Sequence, residues 1–152
     1  MADGTVVLIS IVQAGGEATA PTDQVRAVAG RGLEGDRYFN ETGTFSNSPG
    51  SGRAVTLIES EAIDAVARDC GCELKYEDTR RNIVTRGVAL NDLVDKEFRV
   101  GDVRMRGVRL CEPCKISFPD AAVKQALVNR GGLRADILND GVISIGDSVH
   151  VH

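Results

Sequence analysis

The segment Arg109-Leu110-Cys111-Glu112-Pro113-Cys114-Lys115 holds more reactive chemistry than any other stretch of the chain. A thiol acts as metal ligand or nucleophile only as thiolate, and the flanking cations Arg109 and Lys115 favour that form. Pro113 fixes a backbone angle and removes a donor, so the approach to Cys114 reads as a rigid turn rather than a ladder strand. An isolated cysteine is most often a small core residue, but two in a polar, proline-bent turn point to chemistry. Cys70 and Cys72 add a second pair around Gly71. Four thiolates have the number needed for closed tetrahedral zinc, although the one-residue spacing of Cys70 and Cys72 is tighter than usual. A Cys111–Cys114 redox disulfide would need a thioredoxin-like strand and helix, which the pattern does not offer.

Two further clusters could meet an anionic ligand. In Thr79-Arg80-Arg81-Asn82-Ile83-Val84-Thr85-Arg86-Gly87, arginine forks and an amide at a strand entrance suit bidentate recognition of phosphate or a heterocycle edge. Taken alone, the run reads better as a solvated charged face. In Gly30-Arg31-Gly32-Leu33-Glu34-Gly35-Asp36-Arg37-Tyr38-Phe39, the glycines permit close backbone approach, but the strand and helix of a dinucleotide-binding motif are missing.

Together these segments resemble the MOSC family, the domain named for the C-terminal region of molybdenum cofactor sulfurases. The likeness rests on Gly32-Leu33-Glu34-Gly35-Asp36-Arg37, on Arg80-Arg81-Asn82-Ile83-Val84-Thr85-Arg86-Gly87 with Val100-Gly101-Asp102 behind it, and on Arg109-Leu110-Cys111-Glu112-Pro113-Cys114. It runs from about Val6 to Val151 in the family's order, so one MOSC domain over residues 1–152 is expected. The resemblance implies a mostly β fold with additional helices, a β-barrel of the pyruvate-kinase type. It also implies molybdenum cofactor (Mo-molybdopterin) as ligand, with Cys114 as the catalytic and molybdenum-coordinating cysteine. By the same resemblance, Arg81, Asn82, Thr85 and Arg109 face the pterin and its phosphate, and Gly35, Asp36 and Arg37 shape the pocket. Larger relatives add a pyridoxal-phosphate desulfurase domain; no pyridoxal phosphate site is expected in this chain.

Three activities stay open on the sequence. Cys114 could hold molybdenum in a reductase of N-hydroxylated small molecules, served by an electron-transfer protein. It could instead carry a persulfide from a cysteine desulfurase to a metal centre or cofactor. A zinc-stapled, non-catalytic binding module is the third. Hydrolysis is poorly supplied, because His150 and His152 are the only histidines and sit on one face of a terminal strand. Glu59 and Glu61 read as surface acids favoured by a helix start rather than as an acid–base pair.

The elements that must position these residues are mostly short strands. Thr5–Val12, Gln24–Ala29, Val55–Ile58, Ile83–Val84, Glu97–Val100 and Val103–Val108 have β-branched or alternating character, with a turn at Gly101-Asp102. Residues 30–52 read as a long loop. A helix is predicted from Ser60, capped by it and stopped at Gly71, and a second over Ala121–Val128. Leu133–Leu138 and Val142–Val151 are predicted to form a hairpin through Asn139-Asp140-Gly141. Gly146-Asp147 repeats the Gly101-Asp102 pattern, suggesting two similar barrel corners.

With 42% hydrophobic and 26% charged residues, the 152-residue chain is expected to fold as one globular unit. A net charge of -4 and only 4% aromatic residues argue against nucleic acid as partner. No apolar run is long enough to span a membrane, and Asp3 stands where a secretory leader would be basic. A cytoplasmic location is the expectation.

Overall fold

A computed structural model describes residues 4–11, 20–36, 54–71, 73–111 and 121–151. Cys72, Cys114, Arg37 and His152 therefore lie outside the described residues.

Strands β1 (Gly4–Ile11), β2 (Ala20–Thr22), β3 (Gln24–Val28), β4 (Gly32–Leu33) and β5 (Val55–Glu59) precede helix α1 (Ser60–Cys70). Then come β6 (Ile83–Arg86), β7 (Glu97–Val100), β8 (Val103–Leu110), helix α2 (Ala121–Ala126), β9 (Leu133–Ile137), β10 (Gly141–Ser144) and β11 (Ser148–Val151). Seven of the strands close a ring in the order β11, β7, β8, β9, β5, β6, β1, with β1 returning to β11. β2 adds to the second half of β1. A ring with an odd number of strands cannot be antiparallel at every pair, and the parallel pair is β5–β6. That pair needs a crossover, which α1 supplies.

Alternation sets the barrel interior. Phe98 and Val100 of β7, Val103 and Met105 of β8, and Leu133, Ala135 and Ile137 of β9 are buried in one cluster with Val6, Ile9, Leu57 and Ile83. The small sheet β10-β3-β4 contributes Val25, Ala27, Leu33 and Ile143 to the same cluster. A second, smaller core forms on the outer face, where α1 and α2 bring Ile63, Val66, Val123 and Leu127 onto Ile58 and Val84. Burying a side chain such as Ile63 contributes roughly 1.5–3 kcal/mol. Cys70 packs against this second core as a small apolar residue.

Three local expectations are corrected. Ser60 does not cap α1: Glu59 occupies the cap position, and the Ser60 hydroxyl, inside the helix, donates to Glu61 Oε1. The C-terminal stop is as expected, with Gly71 left-handed at φ 62°. The hairpin at Asn139-Asp140-Gly141 does not form, because β9 pairs with β5 and β8 while β10 pairs with β3. The physical reason is in the side chains. Asn139 accepts from the Arg104 backbone N–H and donates to the Asp102 carbonyl, and Asp140 accepts from the Ala29 N–H. The turn residues thus tie a crossover between two sheets instead of folding a strand back on its neighbour. Third, Val142–Val151 is divided into β10 and β11 at Gly146, which has a φ of 94°. Gly101 and Gly146 do mark adjacent corners: Gly101 donates to the Ser148 carbonyl, and a Cβ on Gly101 would lie 2.6 Å from Asp147 Oδ2. Among the described residues no helix is long and apolar enough to cross a membrane.

Glu59 gives the fold a pH dependence. Burial raises its pKa, against a hydrogen bond accepted from the Leu90 N–H, with the charges of Glu61 and Asp92 raising it further. A carboxyl with a raised folded pKa stabilises the fold fully below its unfolded pKa and loses that contribution as pH rises through the folded value. Glu59→Gln keeps an acceptor for Leu90 and removes the charge. It should therefore be more stable than wild type in urea melts at pH 7, with the difference vanishing below about pH 4.

Candidate functional site

The dipeptide Arg81-Asn82, at the entrance to β6, joins the chain segments that carry the predicted site residues. Asn82 is 4% exposed. Its Nδ2 donates to the Ser10 carbonyl at 3.1 Å and to Asp36 Oδ1 at 3.2 Å. Its Oδ1 accepts from the Thr56 N–H at 3.0 Å and the Thr56 hydroxyl at 3.1 Å. All four hydrogen-bonding positions of the amide are thus satisfied by protein. Arg81 is equally enclosed, its Nε donating to the Gly131 carbonyl at 2.8 Å, Nη1 to the Thr79 carbonyl at 3.2 Å and Nη2 to the Cys111 carbonyl at 2.9 Å.

These contacts gather three segments. Ser10 stands near the end of β1, Asp36 lies shortly after β4, and Cys111 directly follows β8. Gly35 belongs to the same meeting point. Its φ of +91° favours glycine, and an added Cβ would lie 3.2 Å from the Ile11 side chain. Cys111 is buried, with its N–H donating to the Gly132 carbonyl at 2.8 Å. Thr85 is fully buried and donates to the Ile58 carbonyl at 3.4 Å. Arg109 is exposed near the end of β8.

Of the residues expected to face a ligand, Arg81, Asn82, Asp36 and Gly35 are therefore brought together, with the Cys111 backbone beside Arg81. Arg81 and Asn82 act there through backbone groups and buried partners, as the frame of the site, whereas Thr85 lies further along β6, bonded to the Ile58 carbonyl. Arg37 and Cys114 adjoin that frame in sequence and lie outside the described residues.

The barrel register adds residues that the sequence did not single out. Thr56 pairs with Arg134, and Arg109 pairs with Arg134 on its other side. Val55, Leu57, Leu133, Ala135 and Ile9 point into the core, so Thr56, Arg134 and Ser10 point outward. A polar row therefore crosses the outer face from Ser10 through Asn82, Thr56 and Arg134 to Arg109. Beside it, Ile58 and Val84 are covered by the two helices. Two atoms of the row, Ser10 Oγ and Arg134 Nη1, are buried with no hydrogen-bond partner among the described residues, whereas buried polar groups are nearly always bonded. Alternation in Leu133-Arg134-Ala135 already marks Arg134 as outward; only the register shows what it faces.

Among the described residues there is no group of three His, Cys, Asp or Glu side chains that could hold a metal ion. Cys70, in the helical core, and Cys111, beside Arg81, belong to different packing environments.

The model of the family described as MOSC domain matches residues 44–150. The fold is similar to that of the YuaD protein from Bacillus subtilis, with a TM-score of 0.79 at 16% identity over 100% of both chains. It is similar to YiiM from Geobacillus stearothermophilus, with a TM-score of 0.74 at 15% identity, covering 98% of this chain and 75% of that one. YiiM from Escherichia coli gives 0.63 at 18% identity, covering 100% of this chain and 70% of that one. No curated protein matches the chain.

Proposed function

Because the chain belongs to the MOSC domain family, which is associated with molybdenum cofactor, we propose that it binds that cofactor at the outer polar row, with Cys114 as the sulfur ligand to molybdenum. One observation supports this most directly: Arg81-Asn82 ties together Ser10, Asp36 and Cys111. Cys114 follows Cys111 by three residues, so covalent geometry keeps the two within about 11 Å. The donor set suits the ligand. A thiolate is a soft ligand for a sulfur-rich metal centre, and Arg109, Arg37 and the buried Arg134 Nη1 suit an anionic tail.

The cofactor, when bound, would supply two-electron redox chemistry that side chains lack. The reaction we propose is reduction of an N-hydroxylated small molecule, which takes two electrons and two protons and releases water. The electrons come from a separate donor protein. The chain's own residues bind and orient: Arg81 fixes the carbonyl of Cys111, and Asn82 fixes Asp36, next to Arg37.

Metal analysis of protein made with cofactor supply tests the reading. Molybdenum should be near-stoichiometric in wild type and Cys111→Ser and absent from Cys114→Ser. Zinc in place of molybdenum in wild type would overturn it in favour of the zinc-stapled module. A molybdenum-free protein whose Cys114 gains the mass of one sulfur from a desulfurase and cysteine would overturn it in favour of the sulfur carrier.

A further inference from the structure

Helices α1 and α2 both pack over Ile58 and Val84, so they cover β5 and β6 and leave the outer face of β11, β7 and β8 to solvent. That face is basic, although the chain carries a net charge of -4. The exposed positions on β7 and the first half of β8 are Glu97, Arg99, Arg104 and Arg106, three cations against one acid. The register concentrates the charge. Arg99 stands opposite Arg104 on one side and opposite His150 on the other, so one row across three strands holds no carboxylate. Like charges directly across a ladder destabilise a sheet. Glu97, on the next rung, is bonded to Arg104 at 3.1 Å. Arg99 and Arg106 form no ion pair among the described residues. At the β9 end of the row stands Leu138, which is 37% exposed and donates its N–H to the Arg104 carbonyl.

From this geometry we propose that the outer face of β7 and β8, centred on Arg99 and Arg106, docks an acidic protein, and that the occupant is the electron donor of the proposed reduction. Charge complementarity selects the partner. An uncovered cationic row on an acidic chain draws a surface of opposite sign and repels the same face of a second copy. Leu138, at the end of the row, gives a protein partner apolar surface to bury. Position suits an electron donor. β8 runs from this face into Cys111, which lies five residues beyond Arg106, about 17 Å along an extended strand. An interface of standard size takes about 20–30 residues on each side, so one footprint spans both the row and the end of β8. The occupant's role as electron donor rests on the cofactor reading, whereas the docking face does not.

The test uses the full chain made without cofactor supply, with flavodoxin, an acidic electron-transfer protein, as the probe and surface plasmon resonance as the readout. Saturable binding is expected at about 0.01 M ionic strength, weakening steeply toward about 0.15 M as the screening length falls from roughly 30 to 8 Å. Arg99→Glu should associate about tenfold more slowly than wild type, the low end of what electrostatic steering contributes. It should also melt no lower, because it sets unlike charges on the Arg104 rung. The pair Arg99→Gln/Arg106→Gln changes the net charge equally without adding an acid, should slow association to a similar degree, and guards against a glutamate variant that does not fold. Arg68→Glu, the same change of net charge made on α1, should associate as wild type does. Absence of saturable binding to flavodoxin, or equal rates for wild type, Arg99→Glu and the glutamine pair, would overturn the proposal. So would tighter binding of a DNA duplex than of flavodoxin, which would mark a nucleic-acid face. A salt-sensitive dimer of the chain alone that Arg99→Glu dissolves would also overturn it, making a second copy the occupant. Because no molybdenum is involved, failure here is separable from failure of the Cys114 metal analysis.

Discussion

Replacing Asn82 by alanine is expected to lower the unfolding free energy by about 3–5 kcal/mol, from four buried side-chain hydrogen bonds lost together at roughly 1 kcal/mol each. The partners left behind raise the cost further, since Asp36 Oδ1, the Ser10 carbonyl and both Thr56 groups would stay in a buried setting. With total stability of a domain at about 5–15 kcal/mol, such a loss removes a large share of it. Urea melts would read it as a fall in midpoint with the slope unchanged. A loss below about 1 kcal/mol would show that water replaces the amide freely and that the joint is less enclosed than its contacts indicate. Asn82→Asp separates the contributions: it keeps the acceptor for Thr56 and loses the donors to Ser10 and Asp36, while setting a second carboxylate beside Asp36. It should be no more stable than the alanine variant at neutral pH and should recover as pH falls and the carboxyl pair is protonated.

Gly132→Ala is expected to have an effect of similar or greater size. The residue has a φ of +113°, and an added Cβ would lie 2.0 Å from the Leu57 carbonyl oxygen. The atoms it would meet belong to the backbone of β5 rather than to the flexible end of a side chain, so β9 and β5 would have to separate. Strain of this kind together with a broken ladder costs about 3 kcal/mol or more. Gly30 and Gly146 provide the comparison: both have positive φ, but nothing lies within 4 Å of a Cβ at either. Alanine there should cost only about 1 kcal/mol. Thermal melts of the three variants give the ranking, and a Gly132 variant as mild as the other two would sink the close-packing argument. The Gly132 carbonyl also accepts the Cys111 N–H. The same substitution should therefore disturb the approach to Cys114.

Local patterns in the sequence are informative where local forces decide the outcome. The β-branched run of β1, the alternation of β7 and β8, and the left-handed stop at Gly71 follow from side-chain spacing and backbone freedom. The barrel itself comes through resemblance, and the matched family and the fold agree with it. Which strands meet is not legible in one sequence. Asn139-Asp140-Gly141 has hairpin composition, yet its side chains bond to Arg104, Asp102 and Ala29, distant partners that no local rule supplies. The parallel β5–β6 pair is hidden for the same reason, since it is required by the parity of the closed ring.

The site shows the same division. Arg81 and Asn82 stand out as polar residues at a strand entrance, and the structure places them at the meeting of the predicted segments. Their chemistry as a frame, facing carbonyls and a buried carboxylate, depends, apart from the adjacent Thr79, on partners 26 to 72 residues away. Arg134 reads as an ordinary outward residue between Leu133 and Ala135. Its position opposite Arg109 emerges only from the ladder register.

Closure of the ring by β1 against β11 has a consequence for how the protein is made. Gly4 pairs with Val149 and Thr5 with Ser148, so the first part of this edge of β1, which β2 does not cover, has no partner until β11 has left the ribosome. Synthesis at about 5–20 residues per second leaves that edge open for several seconds or longer. During that wait β1, with its Val-Val-Leu-Ile sequence, is a template for pairing with another nascent chain. Folding should therefore be slow and dominated by long-range contacts, and yield in the cell should respond to the supply of chaperones that shield strand edges.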